Sequence, residues 1–180
     1  MALRTKAITT LALMCAAGLV LGYLENALPI FTVVPGGKIG LANAVTMLIF
    51  CTMGAKTGFL FGVLRCLLSA ALYQGFSALA YSLAGTIFSI LAMATCKKLL
   101  QNRTSPIGVS IIGAAFFNVG QLTVCALVLE SGITFYYLPA LLAVSAFSGA
   151  LTGDIARRML GLSSFKRIFK DKNGDIKTWK

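Results

Sequence analysis

The chain has 180 residues, 58% of them hydrophobic and only 12% charged, with a mean hydropathy of +0.87. A soluble domain carries roughly 25% charged residues, so composition excludes a water-soluble fold and points to an all-α integral membrane protein. The net charge of +11 does not point to nucleic acid, because eight of the sixteen basic residues follow Gly153, beside the last apolar run; a cytoplasmic tail lying on anionic lipid accounts for them.

Uncharged windows predict six helices in chain order. The first covers about 7–28; no small-residue cleavage site ends it, so it reads as a retained span rather than a signal peptide. The second covers about 39–55 and the third about 57–72, with "YQGFS" (Tyr73 to Ser77) as a tight turn. The fourth covers about 78–96 and the fifth about 107–129. The sixth lies within 131–158 and starts near Pro139, a residue suited to a first turn. These make a transmembrane domain over 1–160 and a basic tail over 161–180, whose Phe165, Ile168 and Phe169 among lysines also suit a short amphipathic helix.

Six spans put both termini on one side. That side carries Arg4, Lys6, Lys56, Lys97, Lys98, Arg103 and the tail, and the other carries Lys38 with Glu25 and Glu130. The bias predicts a six-transmembrane-helix bundle with both termini cytoplasmic.

With that topology, polar residues from five segments fall at a shared depth near the outer side: Glu25, Lys38, Asn43, Tyr81, Asn118 and Gln121. Polar side chains in hydrocarbon usually face a bundle interior or a cavity. Asn118 and Gln121, three apart, share a helix face, and interhelical hydrogen bonding is the plainer account of them and of Asn43. Arg65 falls mid-way along the third helix, where an arginine costs about 3 kcal/mol by the lower estimates. It has two readings, an ion pair with Glu25 or a contact with an anionic ligand, and both hold if the pair lines the site. Ala12 and Ala16, Gly18 and Gly22, and Gly58 and Gly62 have the small-xxx-small spacing of close helix contacts, either inside the bundle or against a second membrane protein.

The outer connection "PIFTVVPGGK" (Pro29 to Lys38) is too apolar for a loop meant only for water. Pro35, Gly36 and Gly37 read as a lid, and Lys38, at a helix N-terminus, as part of an anion clamp.

At these residues the chain resembles a known family. "PGGKIGLAN" (Pro35 to Asn43), "GVLR" (Gly62 to Arg65), "YSLAG" (Tyr81 to Gly85), "SPIGVSIIGAAFFNVGQ" (Ser105 to Gln121) and "YYLP" (Tyr136 to Pro139) resemble the Gx transporter family, whose members are often labelled heptaprenyl diphosphate synthase component I. That family is similar to the substrate-binding S components of energy-coupling factor (ECF) transporters. The resemblance implies an ECF S-component-like bundle with a lid in its first outer loop, and a bacterial plasma membrane location. It also implies a face, here Ala12 and Ala16, that docks a transmembrane coupling subunit working with ATPases. One departure is Phe117, where the resemblance leads us to expect a histidine; a role resting on an imidazole there falls away.

The synthase label has a physical test. Prenyl elongation holds a diphosphate through Mg²⁺, and such sites rely on carboxylates. The five acids, Glu25, Glu130, Asp154, Asp171 and Asp175, form no Asp-rich motif. Histidine is absent, which removes the commonest general base and metal ligand. The five cysteines (Cys15, Cys51, Cys66, Cys96, Cys125) have no metal-binding spacing and read as buried thiols. No catalytic residue, metal or cofactor is expected.

The leading expectation is a substrate-binding membrane subunit of an ECF-type importer. Its pocket would hold a small anionic or amphiphilic compound through Lys38, Asn43, Arg65, Asn118, Gln121, Tyr81 and Glu25. Flavin-like, quinone-like and prenyl-diphosphate compounds all fit the charge of Lys38, Arg65 and Glu25 together. The alternative is a non-catalytic membrane subunit serving isoprenoid or quinone metabolism, holding a prenyl diphosphate or quinone precursor beside soluble prenyl transferases. An autonomous channel is a third reading, disfavoured by the lack of a charged ring.

Overall fold

A computed structural model describes residues 2–27, 40–100 and 105–162. Among them there is no strand. Six α-helices follow in order: α1 (Ala2–Ala27), α2 (Leu41–Met53), α3 (Ala55–Ser69), α4 (Ser77–Leu100), α5 (Pro106–Val128) and α6 (Leu138–Gly161). The expected six-helix pattern is present. The lid residues Pro35, Gly36 and Gly37, with Lys38, and the tail from 163 onward lie outside the described residues.

Local chemistry accounts for the helix ends. Ser105 caps α5, its Oγ accepting from the Gly108 N–H at 3.1 Å, with Pro106 in the first turn. Pro139 holds the same place in α6, as the sequence predicts. Ahead of it, Gly132–Tyr137 forms a 3₁₀ turn. The stretch read as a turn at Tyr73 is different: α3 runs on through a π-helical segment, Ala70–Gln74, and stops at Gly75.

Among the described residues five helices are long and apolar enough to cross a membrane, and α2 is a shorter apolar helix. Its 13 residues rise about 20 Å, against a hydrocarbon core of about 30 Å. The second helix is thus shorter than the expected 39–55. Glycines with positive φ bound it, Gly40 at 79° and Gly54 at 89°, in backbone that β-carbon residues avoid. From Ala44 to Cys51 every residue of α2 is buried, so its apolar sequence on all sides marks a central core helix rather than a lipid-facing one.

The helices α2, α3, α4, α5 and α6 close a ring in which each packs on the next and α6 returns to α2, while α1 lies outside against α2 and α3. The tightest contacts join α4 to α5 and α5 to α6. A Cβ on Gly120 would fall 2.7 Å from Ala84 O, and Cβ atoms on Gly149 and Gly153 would fall 2.6 Å from the Cα atoms of Ile111 and Ile107. These faces use missing side chains to bring backbones together, the means available where hydrocarbon supplies no hydrophobic drive between helices. Of the expected glycine faces, Gly58 meets the Phe50 backbone, whereas Gly62 makes room for the side chain of Thr86, Gly22 for that of Tyr73 and Gly18 for those of Arg65 and Val45.

The outer surface is apolar on every side. Leu13, Leu60, Leu91, Leu127 and Phe147 are each more than half exposed. Water tolerates isolated cases but not a belt of them, and with five helices of spanning length this is a multi-pass membrane protein.

Candidate functional site

The helix ring encloses a cavity of about 90 Å³, room for several waters or a compact ligand. At the end where α1 stops and α2 starts it is lined by Glu25, Asn43, Arg65, Tyr73, Gln74 and Gln121. It continues along α5 from Gln121 to Ser110, about 16 Å of helix rise, so it reaches well beyond the single shared depth inferred from the sequence.

Arg65 is 8% exposed. Its Nη2 donates to Asn43 Oδ1 at 2.8 Å, and its Nε has no partner. Among the described residues the guanidinium thus has one hydrogen bond and no carboxylate partner, although it carries five N–H donors.

Glu25 does not pair with it. Its two carboxylate oxygens accept the backbone N–H groups of Gly40 and Leu41, the second at 3.1 Å. These are orphan donors at the start of α2, where the helix dipole also favours a negative charge. The Glu25–Arg65 ion pair is therefore absent; among the described residues the one ion pair is Arg158–Asp154. The anion at the α2 N-terminus is the chain's own.

Asn118 lines the cavity, but its amide is committed to α6: Nδ2 donates to Ser145 Oγ at 2.7 Å and to Leu141 O at 3.2 Å. Interhelical hydrogen bonding accounts for it. Gln121 lines the same wall. Tyr81 does not line this cavity; the next residue, Ser82, does. One residue turns a helix by about 100°, enough to move a side chain off the inner face.

Sequence reasoning missed a set of hydroxyls. Thr46 on α2 lies one turn beyond Asn43, its Oγ1 buried without a partner. Ser82, Thr86 and Ser89 repeat along α4. Their spacing of four and three is the sign of one helix face, though serines and threonines are common enough in spans to pass unnoticed. Tyr73 and Gln74 reach the cavity through the π-helical turn, which re-aims side chains a plain helix would place elsewhere.

Phe117, at the position where the family resemblance suggests histidine, lines the cavity and lies against Gly85, whose Cβ would come within 2.9 Å of the ring. Among the described residues no group of three His, Cys, Asp or Glu side chains is placed to hold a metal.

Ala12 and Ala16 lie on the side of α1 that faces away from the bundle, both exposed.

No curated protein and no solved structure matches the chain. Residues 14–159 match the family model described as heptaprenyl diphosphate synthase component I, a span that takes in part of α1, all of α2 to α5 and nearly all of α6. The chain belongs to the heptaprenyl diphosphate synthase component I family.

Proposed function

We propose that the protein is the substrate-binding membrane subunit of an ECF-type importer, with both termini cytoplasmic, that captures a small anionic or amphiphilic compound from outside the plasma membrane. One observation carries this reading: Arg65 is buried in the cavity wall with no carboxylate paired to it among the described residues. A buried cation without a counter-ion costs several kcal/mol, and its retention makes sense where a ligand supplies the missing charge. The site is proposed as Arg65, Asn43 and Gln121, closed by the segment holding Pro35, Gly36, Gly37 and Lys38.

The exposed Ala12 and Ala16 on α1 support a partner. Small side chains there leave a smooth strip onto which another helix packs closely, and we assign it to a transmembrane coupling subunit that works with ATPases. The chain itself is proposed to be non-catalytic. Its one described carboxylate at the cavity, Glu25, is engaged by backbone N–H groups, which leaves no carboxylate pair for Mg²⁺-assisted diphosphate chemistry.

Native mass spectrometry of protein gently extracted from its own host tests this. The expected result is a small-molecule adduct together with co-purified membrane and ATPase subunits. Replacing Ala12 and Ala16 by Trp should release those subunits and keep the adduct. An empty chain accompanied only by a soluble prenyl transferase would replace this reading with a subunit of isoprenoid metabolism.

A further inference from the structure

We propose that the cavity wall formed by α2 and α3 is a carboxylate subsite: Arg65 and Thr46 receive the singly charged head of a small acid, and the rest of the cavity holds an uncharged body. This rests on the binding-subunit reading above and narrows its ligand to monocarboxylates.

Two buried side-chain atoms are left without a hydrogen bond among the described residues, Arg65 Nε and Thr46 Oγ1. Both residues are more than nine-tenths buried, and both line this one cavity. Folded proteins satisfy nearly all such groups, so two vacancies on facing helices around one space ask for a shared partner. A guanidinium and a hydroxyl both donate to oxygen. Asn43, one turn from Thr46 on α2, accepts from Arg65 Nη2 and so helps to orient the guanidinium. A planar fork held in one orientation matches a carboxylate in shape as well as charge.

The charge count selects a single negative charge. Among the described lining residues Arg65 is the one cation and Glu25 the one anion. Glu25 is engaged by the N–H groups of Gly40 and Leu41, which leaves Arg65 as the charge still to be neutralised. A phosphate monoester carries about −1.5 to −2 at neutral pH and would leave an excess in a low-dielectric site. Beyond the head, the lining of Thr86, Ser89, Ile90, Met93 and Ser110 is uncharged. It suits a body that is apolar or bears hydroxyl groups.

The test uses the detergent-solubilised full chain and reads the thermal unfolding midpoint against a concentration series. The probes are sodium monocarboxylates from acetate to octanoate and benzoate, each compared with its amide, together with succinate and inorganic phosphate at matched ionic strength. We expect at least one monocarboxylate to raise the midpoint saturably while its amide does not, with succinate and phosphate weaker. Arg65→Gln should weaken the effective carboxylate about tenfold or more, the scale of a lost charged hydrogen bond. Thr46→Val, a near-isosteric change that keeps the cation, should weaken it about threefold to tenfold and guards against a folding defect in the arginine variant. Amides acting as well as acids, an unchanged response in Arg65→Gln, or no response to any monocarboxylate would each overturn the proposal. So would tighter binding of phosphate or succinate, which would mean a second cation at the site. A native adduct that survives in Arg65→Gln would sink this subsite alone; the absence of any adduct or partner would sink the binding-subunit reading.

Discussion

Arg65 Nη2 and Asn43 Oδ1 meet at 2.8 Å, joining the third helix to the second through the single hydrogen bond that the guanidinium makes among the described residues. Among the described residues no carboxylate neutralises this buried cation. Replacing a buried charge with an apolar side chain of similar length is often stabilising. Arg65→Met should raise the stability of the ligand-free chain by about 1–2 kcal/mol, after allowing about 1 kcal/mol for the orphaned Asn43. Thermal unfolding in detergent measures this, and a clear loss of stability would show that the arginine has a structural partner.

Glu25 and Arg65 should act independently. Glu25→Ala removes the acceptor for two N–H groups at the start of α2, a cap worth about 1–2 kcal/mol. In a double-mutant cycle with Arg65→Met the two effects should add within about 0.5 kcal/mol. A coupling beyond about 1 kcal/mol would restore the ion pair that the sequence suggested.

The α5–α6 contact predicts a sharp difference between two glycines of one helix. Gly149→Ala puts a methyl 2.6 Å from Ile111 Cα, where backbone has to move, and overpacking of this kind costs about 1–3 kcal/mol. Gly161→Ala meets nothing within 4 Å, and in the last turn of a helix alanine should be neutral or better by up to about 1 kcal/mol. Unfolding midpoints of the two variants, side by side, check both signs.

Lys38 and Arg65 should separate in a binding assay. The sequence places Lys38 beside the lid and the structure places Arg65 in the wall, so Lys38→Ala should slow capture of the native ligand, as loss of a steering charge does, while leaving the fold intact. Equal rates of capture in wild type and Lys38→Ala, measured with the compound released from the native protein, would confine recognition to the cavity itself.

The number of helices and the place of Arg65 inside one of them were legible because they depend on properties each residue carries alone: a run without charges, or a charge inside such a run. Pro139 announced its helix start for the same reason. Glu25 was read as a partner for Arg65 because side-chain charges are visible in a sequence, whereas the backbone N–H groups of Gly40 and Leu41 that claim it are common to every helix start. Tyr81 stands next to the lining residue Ser82, and a polar residue near a helix end says nothing of its rotation about the axis. The second helix was drawn too long because its apolar run continues past the glycines whose positive φ angles end it. The hydroxyls of α4 were passed over as ordinary membrane residues, and only their position around one space distinguishes them.

The uneven spacing of the helices has a mechanical consequence. Glycine contacts weld α4, α5 and α6 into a slab, and Ser110–Thr152 and Asn118–Ser145 bonds lie wholly inside it. The Arg65–Asn43 and Glu25–Leu41 bonds lie wholly within the other half, α1 to α3. Between the halves run the contacts of Cys66 Sγ with Thr86 Oγ1 at 3.2 Å and with Ser82 O at 3.5 Å, and the bond from Ser82 Oγ to Gln74 Oε1 at 3.4 Å. The cavity lies along that join, lined by Arg65 from one half and by Thr86, Ser89 and Ser110 from the other. Local opening is expected to reach the slab last, because its backbones meet directly at glycines, and amide hydrogen exchange of α5 against α1 reads this.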